Sequence, residues 1–365
     1  MVSIIVFLLI SQDVIGPRIQ EYDINDFSDP TIASGNIEYA CWNPAAISNI
    51  NTLSFAGNIV YTNGNLDLSH LHLILGEDYK HETSEFLPEL LGIAFPLNEK
   101  FSLGFLFSAP YKHSYNTSWL SVMLIVIDDS LAGVDSVSSN SAIRFYAFNP
   151  IISYKIKENL SVGLNFAVLA KKYNAYGYYN TPDSIFTEVH GNYYGIEPNL
   201  GIQYQLNEKS RIDLSIKKGF VQGTETWPDE EYSIKEILPL KASLGTKIDI
   251  TPQLTINNAV EFIHWKGKSF YLNGEKVEYS DYVRNVFRIH IGGEYKIKSK
   301  YALRLGIYNY PALSSMSSIK REQIFLTGGI GIELGNLKIN FAASSSSLLP
   351  TGDKETNNFH LSITY

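Results

Sequence analysis

Along most of the chain, apolar and polar residues alternate with period two. Phe287, Ile289, Ile291, Tyr295 and Ile297 fall on one side, while Arg288, His290, Glu294 and Lys296 fall on the other. Tyr301, Leu303, Leu305 and Ile307 likewise oppose Ala302, Arg304 and Gly306, and the chain ends with Phe359, Leu361, Ile363 and Tyr365 against His360, Ser362 and Thr364. This is the period of strands with one apolar face, not of helices. The connections between the runs are of two kinds that alternate without a break. Asn98-Glu99-Lys100, Lys157-Glu158-Asn159, Asn207-Glu208-Lys209, Thr251-Pro252-Gln253, Lys298-Ser299-Lys300 and Gly335-Asn336 are short. Stretches near 76–86, 111–142, 173–191, 220–237, 266–285, 311–323 and 346–356 are long. A meander with short turns at one end and long loops at the other has the layout of a membrane barrel, and a Greek-key sandwich gives no reason for it. The pattern predicts an all-β chain of about fourteen antiparallel strands closed into a transmembrane β-barrel, both termini at the short-turn end. Thr62-Asn63-Gly64-Asn65 holds the strongest two-residue hairpin signal. The even strand count favours instead one long first strand with a bulge at Gly64.

Alternation alone also fits a soluble β protein whose apolar faces meet in a dry core. Composition narrows the choice. Charged residues are 18% of the chain, below the roughly 25% usual in soluble domains, alongside 24 Tyr and 19 Phe. The formal net charge of −8 excludes a nucleic-acid partner that needs a basic footprint. The one cysteine, Cys41, allows no intrachain disulfide and reads as a packed small residue. Val2 to Ile10 is an apolar run too short to span a bilayer as a helix. It has the character of a secretory h-region, although no positive n-region precedes it, so residues 1–16 read as a signal-peptide remnant. A buried N-terminal strand is the other reading. With the loop asymmetry and the aromatic last residue, this start places the chain in a bacterial outer membrane, surrounded by outer-membrane lipid.

Residues 17–50 do not alternate. They are expected to fold into the lumen of the barrel, made by 51–365, as an N-terminal hatch; a periplasmic tail is the alternative. No Gly-x-Ser-x-Gly elbow is present, and Gly328-Gly329-Ile330-Gly331 lies within an alternating strand with no helix after it, so it is not a phosphate loop. His70 and His72 share a strand face but have no third ligand nearby. Neither an enzyme, nor a metal, nor a cofactor is indicated. Charged residues on the expected lumen face, among them Lys247, Asp249, Glu261, Glu333, Arg288, Glu294 and Arg304, are suited to pairing across the lumen. Arg288 and Arg304, with Glu294 between them in sequence, are the candidates for a ligand carboxylate, because a guanidinium binds one through two hydrogen bonds. The longest loop carries the apolar run from Trp119 to Ile127. Trp119, Leu120, Met123 and Ile125 form a candidate capture surface for a greasy ligand; a helix packed over the barrel mouth is the bland alternative.

Trp42-Asn43-Pro44-Ala45-Ala46 resembles the Asn-Pro-Ala motif in the hatch of the FadL/TodX family of outer-membrane transporters for long-chain fatty acids and other hydrophobic compounds. Further likenesses follow in order: Gly195-Ile196-Glu197-Pro198-Asn199-Leu200-Gly201 with Arg211-Ile212-Asp213-Leu214-Ser215, then Leu238-Pro239-Leu240 with Val260-Glu261-Phe262-Ile263-His264-Trp265. Ile291-Gly292-Gly293-Glu294-Tyr295-Lys296 with Leu303-Arg304-Leu305-Gly306-Ile307-Tyr308 completes the set. The resemblance implies a passive channel for a hydrophobic small-molecule ligand, acting as a monomer. Outer loops capture the ligand, the hatch motif Asn43, Pro44 and Ala45 gates the lumen, and exit is sideways near a kinked third strand, here about Phe101 to Ala109 with Pro110 following. The family's carboxylate partners cannot be placed on this chain. Other relatives are secretion-system components, so a barrel that serves as a secretion or surface scaffold and binds protein is the alternative function.

Overall fold

The computed structural model describes residues 39–67, 80–119, 123–127, 130–134, 136–180, 185–228, 230–277, 284–298, 300–311, 323–349 and 354–365. Residues 1–16, most of 17–50 and the His70/His72 pair lie outside them. The described chain is almost entirely strand. In order, β1 is Ser54–Asp67, β2 Lys80–Pro96, β3 Phe101–Trp119, β4 Met123–Ile127, β5 Ser130–Val134, β6 Ser136–Lys157, β7 Leu160–Asn180 and β8 Ile185–Asn207. Then come β9 Ser210–Lys217, β10 Phe220–Thr226, β11 Glu231–Ile237, β12 Leu240–Asp249, β13 Leu254–His264, β14 Ser269–Leu272, β15 Glu275–Val277 and β16 Val286–Ile297. The last four are β17 Tyr301–Tyr310, β18 Gln323–Leu334, β19 Leu337–Ser345 and β20 Lys354–Thr364.

Every segment except the β4–β5 ribbon belongs to one 18-stranded antiparallel sheet. Four pairs (β9/β10, β11/β12, β13/β14, β15/β16) are single wall strands interrupted midway, which makes a closed barrel of 14. Closure runs through Phe55 and Tyr365, each donating its N–H to the other's carbonyl at 2.8 Å. The short turns fall where the sequence places them, and side chains cap them. Asn98 Oδ1 accepts from the N–H groups of Lys100 and Phe101, both at 2.9 Å, and Asn207 Oδ1 accepts from Lys209 N at 2.9 Å.

The faces are inverted relative to a soluble protein. Large apolar side chains look outward: Leu91 is 58% exposed, Phe287 58%, Phe341 52% and Leu305 75%. Asn149, Ser153, Asn165, Asn199, Gln203 and Asp213 look inward and are buried. A continuous apolar belt around the whole barrel has no stable place in water and fits the hydrocarbon layer. Tyr154, Tyr204, Tyr295, Tyr301 and Tyr365 gather toward its short-turn edge, as an interfacial aromatic girdle does.

Three expectations are corrected. β1 is one long strand, but it carries no bulge at Gly64: Asn63 and Gly64 pair regularly with Ser84 and Thr83 on one side and with Asn357 and Thr356 on the other. The irregularity lies between Asn58 and Ile59, opposite Leu90 and Pro88; Pro88 has no N–H to give the ladder. Second, β3 does not end at Ala109 but continues to Trp119. Third, the stretches 173–191 and 220–237 are mostly strand. There the chain rises past the apolar belt, the two faces lose their contrast, and period two fades from the sequence while the backbone ladder persists.

Candidate functional site

Inside the short-turn half of the barrel, Tyr39 to Ile50 pack against the wall. Pro44–Asn49 form a 3-10 helix with Asn43 as its N-cap, the Asn43 Oδ1 accepting from Ala45 N–H at 3.0 Å. Pro44, at the start of the helix, has no N–H to leave unpaired there. The Asn43 amide donates outward, to Ile202 O at 3.0 Å and to Asp213 Oδ1 at 3.3 Å. Asp213 also accepts from Gln203 Nε2 and Arg211 Nε, each at 2.9 Å. Asn199 donates to the carbonyls of Cys41 and Trp42 at 3.4 and 3.3 Å, and Ser153 to that of Ala45 at 3.3 Å. Burial, with the Asp213 carboxylate alongside, pushes the Tyr39 phenol well up. Asn43, Pro44 and Ala45 are thus brought together, buried and bonded to the wall.

The wall is shaped to admit them. Gly163 of β7 and Gly201 of β8 are cross-strand partners. A Cβ on Gly163 would overlap the backbone of Pro44 and Ala45, and one on Gly201 would overlap Asn43 Oδ1. Sequence reasoning missed both glycines and Asp213. Their signal was glycine at the inward position of two successive strands, where a side chain would otherwise fill the lumen.

The outer half of the lumen is different. Phe145, Leu169, Tyr173, Tyr193, Val221 and Ile234 form a buried apolar cluster, and within it lie charges. Lys171 Nζ pairs with Glu236 at 2.6 Å, both side chains fully buried, while Lys268 Nζ approaches the same carboxylate at 3.7 Å. Lys171 also stands 4.8 Å from the Tyr193 ring centroid. The local interruptions of the wall deliver this group. Trp265 and Lys268 come from a 3-10 turn between β13 and β14, and Glu236 lies near the end of β11, just before the Leu238-Pro239 interruption.

The nominated lumenal charges do not converge. Arg288 lies in the outer half, 3.5 Å from Glu261 and 4.6 Å over the Tyr310 ring. Arg304 binds Glu294 at 2.7 Å and Asn340 at 2.9 Å, with Glu294 six residues, roughly 20 Å, further along β16. Of the nominated capture residues, Trp119 ends β3, Met123 and Ile125 lie in β4, and Leu120 is outside the described residues. The segment from Met123 is a β-ribbon with β5, not a helix.

The wall itself has a seam. β2 and β3 pair only from Pro96↔Ser102 to Leu90↔Ser108. Beyond that, β2 stays with β1 as far as Lys80↔Asp67, and β3 stays with β6 as far as Trp119↔Val137. Among the described residues no backbone pair joins β2 to β3 there. The parting begins at Ala109-Pro110, two residues set against Tyr146 alone, which form a bulge. Pro110 has no N–H for a ladder bond.

The family described as "Outer membrane protein transport protein (OMPP1/FadL/TodX)" matches residues 27–318. Similar solved structures include a Pseudomonas aeruginosa FadL homologue, 14% identical with a TM-score of 0.71, the match covering 92% of this chain and 96% of that one. The Ralstonia pickettii toluene transporter TbuX is 15% identical with a TM-score of 0.60, covering 94% and 98%. The Pseudomonas putida toluene transporter TodX is 13% identical with a TM-score of 0.60, covering 91% and 97%. No curated protein matches in sequence. The chain belongs to the OMPP1/FadL/TodX family of outer-membrane transport proteins.

Proposed function

We propose that this barrel is a passive channel that takes hydrophobic small molecules such as long-chain fatty acids from outside the cell, and releases them sideways between β2 and β3. The observation that carries the reading is the seam. A ladder that stops at Leu90 and Ser108 while both strands continue leaves a place where an apolar solute can pass from lumen to hydrocarbon without crossing the periplasm. Among the described residues the shorter break between β16 and β17, beyond His290↔Tyr308, is bridged by the Asn309 side chain, which accepts from Ile289 N–H and donates to Phe287 O. The β2–β3 seam has no such bridge in the backbone ladder, and every broken ladder bond in a membrane is costly.

Residues 17–50 act as the hatch. The buried contacts of Asn43, Pro44 and Ala45 with β6 to β9 support this, because they hold residues 39–50 inside the short-turn half of the lumen. The capture surface is formed by the outer loops around Trp119, Leu120, Met123 and Ile125. The inner site is the apolar cluster near Tyr193 and Trp265, where Lys171 and Lys268 offer ammonium groups to a ligand carboxylate. One chain contains the whole path, so the unit of function is a monomer. Several of the similar structures are named as toluene transporters or monoaromatic hydrocarbon channels, and a neutral aromatic would use the same wall without the lysines.

The test is uptake of radiolabelled oleate and of labelled toluene by cells lacking their own outer-membrane channels for them. The protein should restore one or both. Failure with both, at normal insertion shown by heat-modifiable gel migration, would refute the channel. Deleting residues 17–48 should leave a folded barrel with raised ion conductance in planar bilayers, and unchanged conductance would refute the hatch.

A further inference from the structure

The outward face of β6 and β7 carries a row of unbalanced positive charge. Arg144 of β6 and Lys172 of β7 are direct cross-strand partners, and both are exposed. Lys112 holds the register position opposite Arg144 on β3, and the exposed Asn192 lies opposite Lys172 on β8. Like charges set directly opposite each other destabilise a sheet. Among the described residues neither Arg144 nor Lys172 has an ion-pair partner. On β3, β6, β7 and β8 the described outward carboxylate is Glu188, which pairs with His190 at 2.7 Å. It is four residues from Asn192 on β8, roughly 13 Å along the strand, beyond the screening length of about 8 Å in physiological salt. Glu231 of β11 is opposite Thr226 of β10, three strands from Lys172 and roughly 14 Å across the sheet.

Below the row the wall turns apolar and aromatic. Tyr146, Ala170 and Tyr194 come first, then Phe148, Val168 and Ile196. The Tyr146 ring stacks on Phe107 with centroids 6.1 Å apart. Arg144 and the girdle residue Tyr154 are ten residues apart on β6, roughly 33 Å along the strand. At the usual tilt of a barrel strand this is about 25 Å across the membrane, the height of the apolar band. Arg144 and Lys172 therefore stand at the headgroup level of the outer leaflet, a depth that suits side chains with an apolar stem and a charged end. Phosphate is the lipid group found at that depth. A guanidinium takes it through two parallel hydrogen bonds, and two adjacent cations match a headgroup with more than one negative charge. The row also begins at the seam, because Lys112 is two residues past Pro110, where β3 stands apart from β2.

We propose that Arg144 and Lys172 bind the phosphorylated headgroup of an outer-leaflet lipid, whose acyl chains lie over Tyr146, Phe148 and Val168. The site is outside the lumen and one strand from the seam, so its lipid borders the place where the wall parts.

The full-length protein in phosphatidylcholine nanodiscs doped with bis-phosphorylated lipid A tests this, with retained lipid A counted by native mass spectrometry after detergent extraction. Wild type should keep one lipid A per barrel. Arg144→Gln with Lys172→Gln should lower retention roughly ten-fold or more, the scale of losing hydrogen bonds to a charged group. Lys235→Gln, on β11 and with its Nζ 5.5 Å from the Phe220 ring centroid, should retain lipid A as wild type does. Dephosphorylated lipid A should be held no better by wild type than by the double variant. Equal retention by wild type and the double variant, or of both lipid forms, with heat-modifiable migration intact, would overturn the proposal. An equal loss in Lys235→Gln would overturn it as well, by showing that surface charge in general and not this row holds the lipid. Displacement by inorganic phosphate would mean a free-anion site, and displacement by oleate a site for the transported ligand; either result would also contradict it.

Discussion

The amide of Asn43 occupies the space that a side chain at position 201 would take. Gly201 lies directly beneath Asn43 Oδ1 and the Pro44 ring, and the Asn43 amide reaches past it to Ile202 O at 3.0 Å. Gly201→Val should therefore unseat the N-terminal segment while leaving the β8 ladder intact, because the new side chain points into the lumen and not into a strand contact. The expected result is a barrel with normal heat-modifiable migration, higher conductance in planar bilayers and new protease cleavage near residues 39–50. Gly163→Val should behave the same way, from the neighbouring strand of the same wall. Wild-type conductance in both variants would show that the segment does not depend on this cradle.

Asp213 holds the polar side of the same contact by accepting from Asn43, Gln203 and Arg211 at once. Asp213→Ala leaves buried donors without their acceptor, at about 1–3 kcal/mol for each that finds no substitute. Thermal unfolding in detergent should show a lowered Tm. Asp213→Asn, which keeps one acceptor oxygen, should fall between the two. A Tm for Asp213→Ala equal to wild type would remove Asp213 from the account of how the segment is anchored.

Glu236 and Lys171 should differ in what their loss costs. Removing Glu236 leaves both Lys171 and Lys268 without this shared carboxylate, whereas removing Lys171 leaves Glu236 with Lys268 at 3.7 Å. Breaking a buried ion pair from one side costs about 3–5 kcal/mol. Glu236→Met should therefore destabilise more than Lys171→Met in urea titrations. If the lysines receive a ligand carboxylate, Glu236→Met should also bind oleate more tightly than wild type, while Lys171→Met should bind it more weakly. Oleate affinity unchanged in both variants would limit the cluster to a structural part.

The barrel was legible in the sequence because lipid on one side and a polar lumen on the other impose period two on every strand between the girdles. The short turns were legible for a related reason: Asn98, Asn207 and Thr251 supply the side-chain acceptors such turns need. What was misread lay where that contrast disappears. The two Asn-Gly pairs are instructive. Asn273-Gly274 makes the tight turn between β14 and β15, with φ of 49° and 86°. Asn63-Gly64 has the same residues but lies in the middle of β1, where ladders on both sides hold it extended. Local turn chemistry decides only when neighbouring strands do not.

The motif Asn43-Pro44-Ala45 could be found from sequence, but its receptor could not. Gly163, Gly201 and Asp213 are far apart in the chain and meet only through the register of β7, β8 and β9. Arg288 and Arg304 were paired in expectation because both are guanidinium groups on the lumen face. The register puts them at different heights, each already engaged, with Glu261 and with Glu294. The Lys171–Glu236–Lys268 group was missed because its wall strands are interrupted at Leu238-Pro239 and Trp265-Gly267, where alternation slips.

The most direct test of the account is deletion of Pro110. Two residues of β3, Ala109 and Pro110, face Tyr146 alone, so removing one restores an even register and allows β2 and β3 to zip beyond Leu90 and Ser108. Uptake of labelled ligand is then compared between wild type and this variant in cells with matched amounts of inserted barrel. The account predicts that closing the seam cuts uptake by roughly ten-fold or more while heat-modifiable migration stays normal, since the solute would then face unbroken backbone pairing. Uptake equal to wild type through a correctly folded Pro110-deleted barrel would contradict lateral exit between β2 and β3.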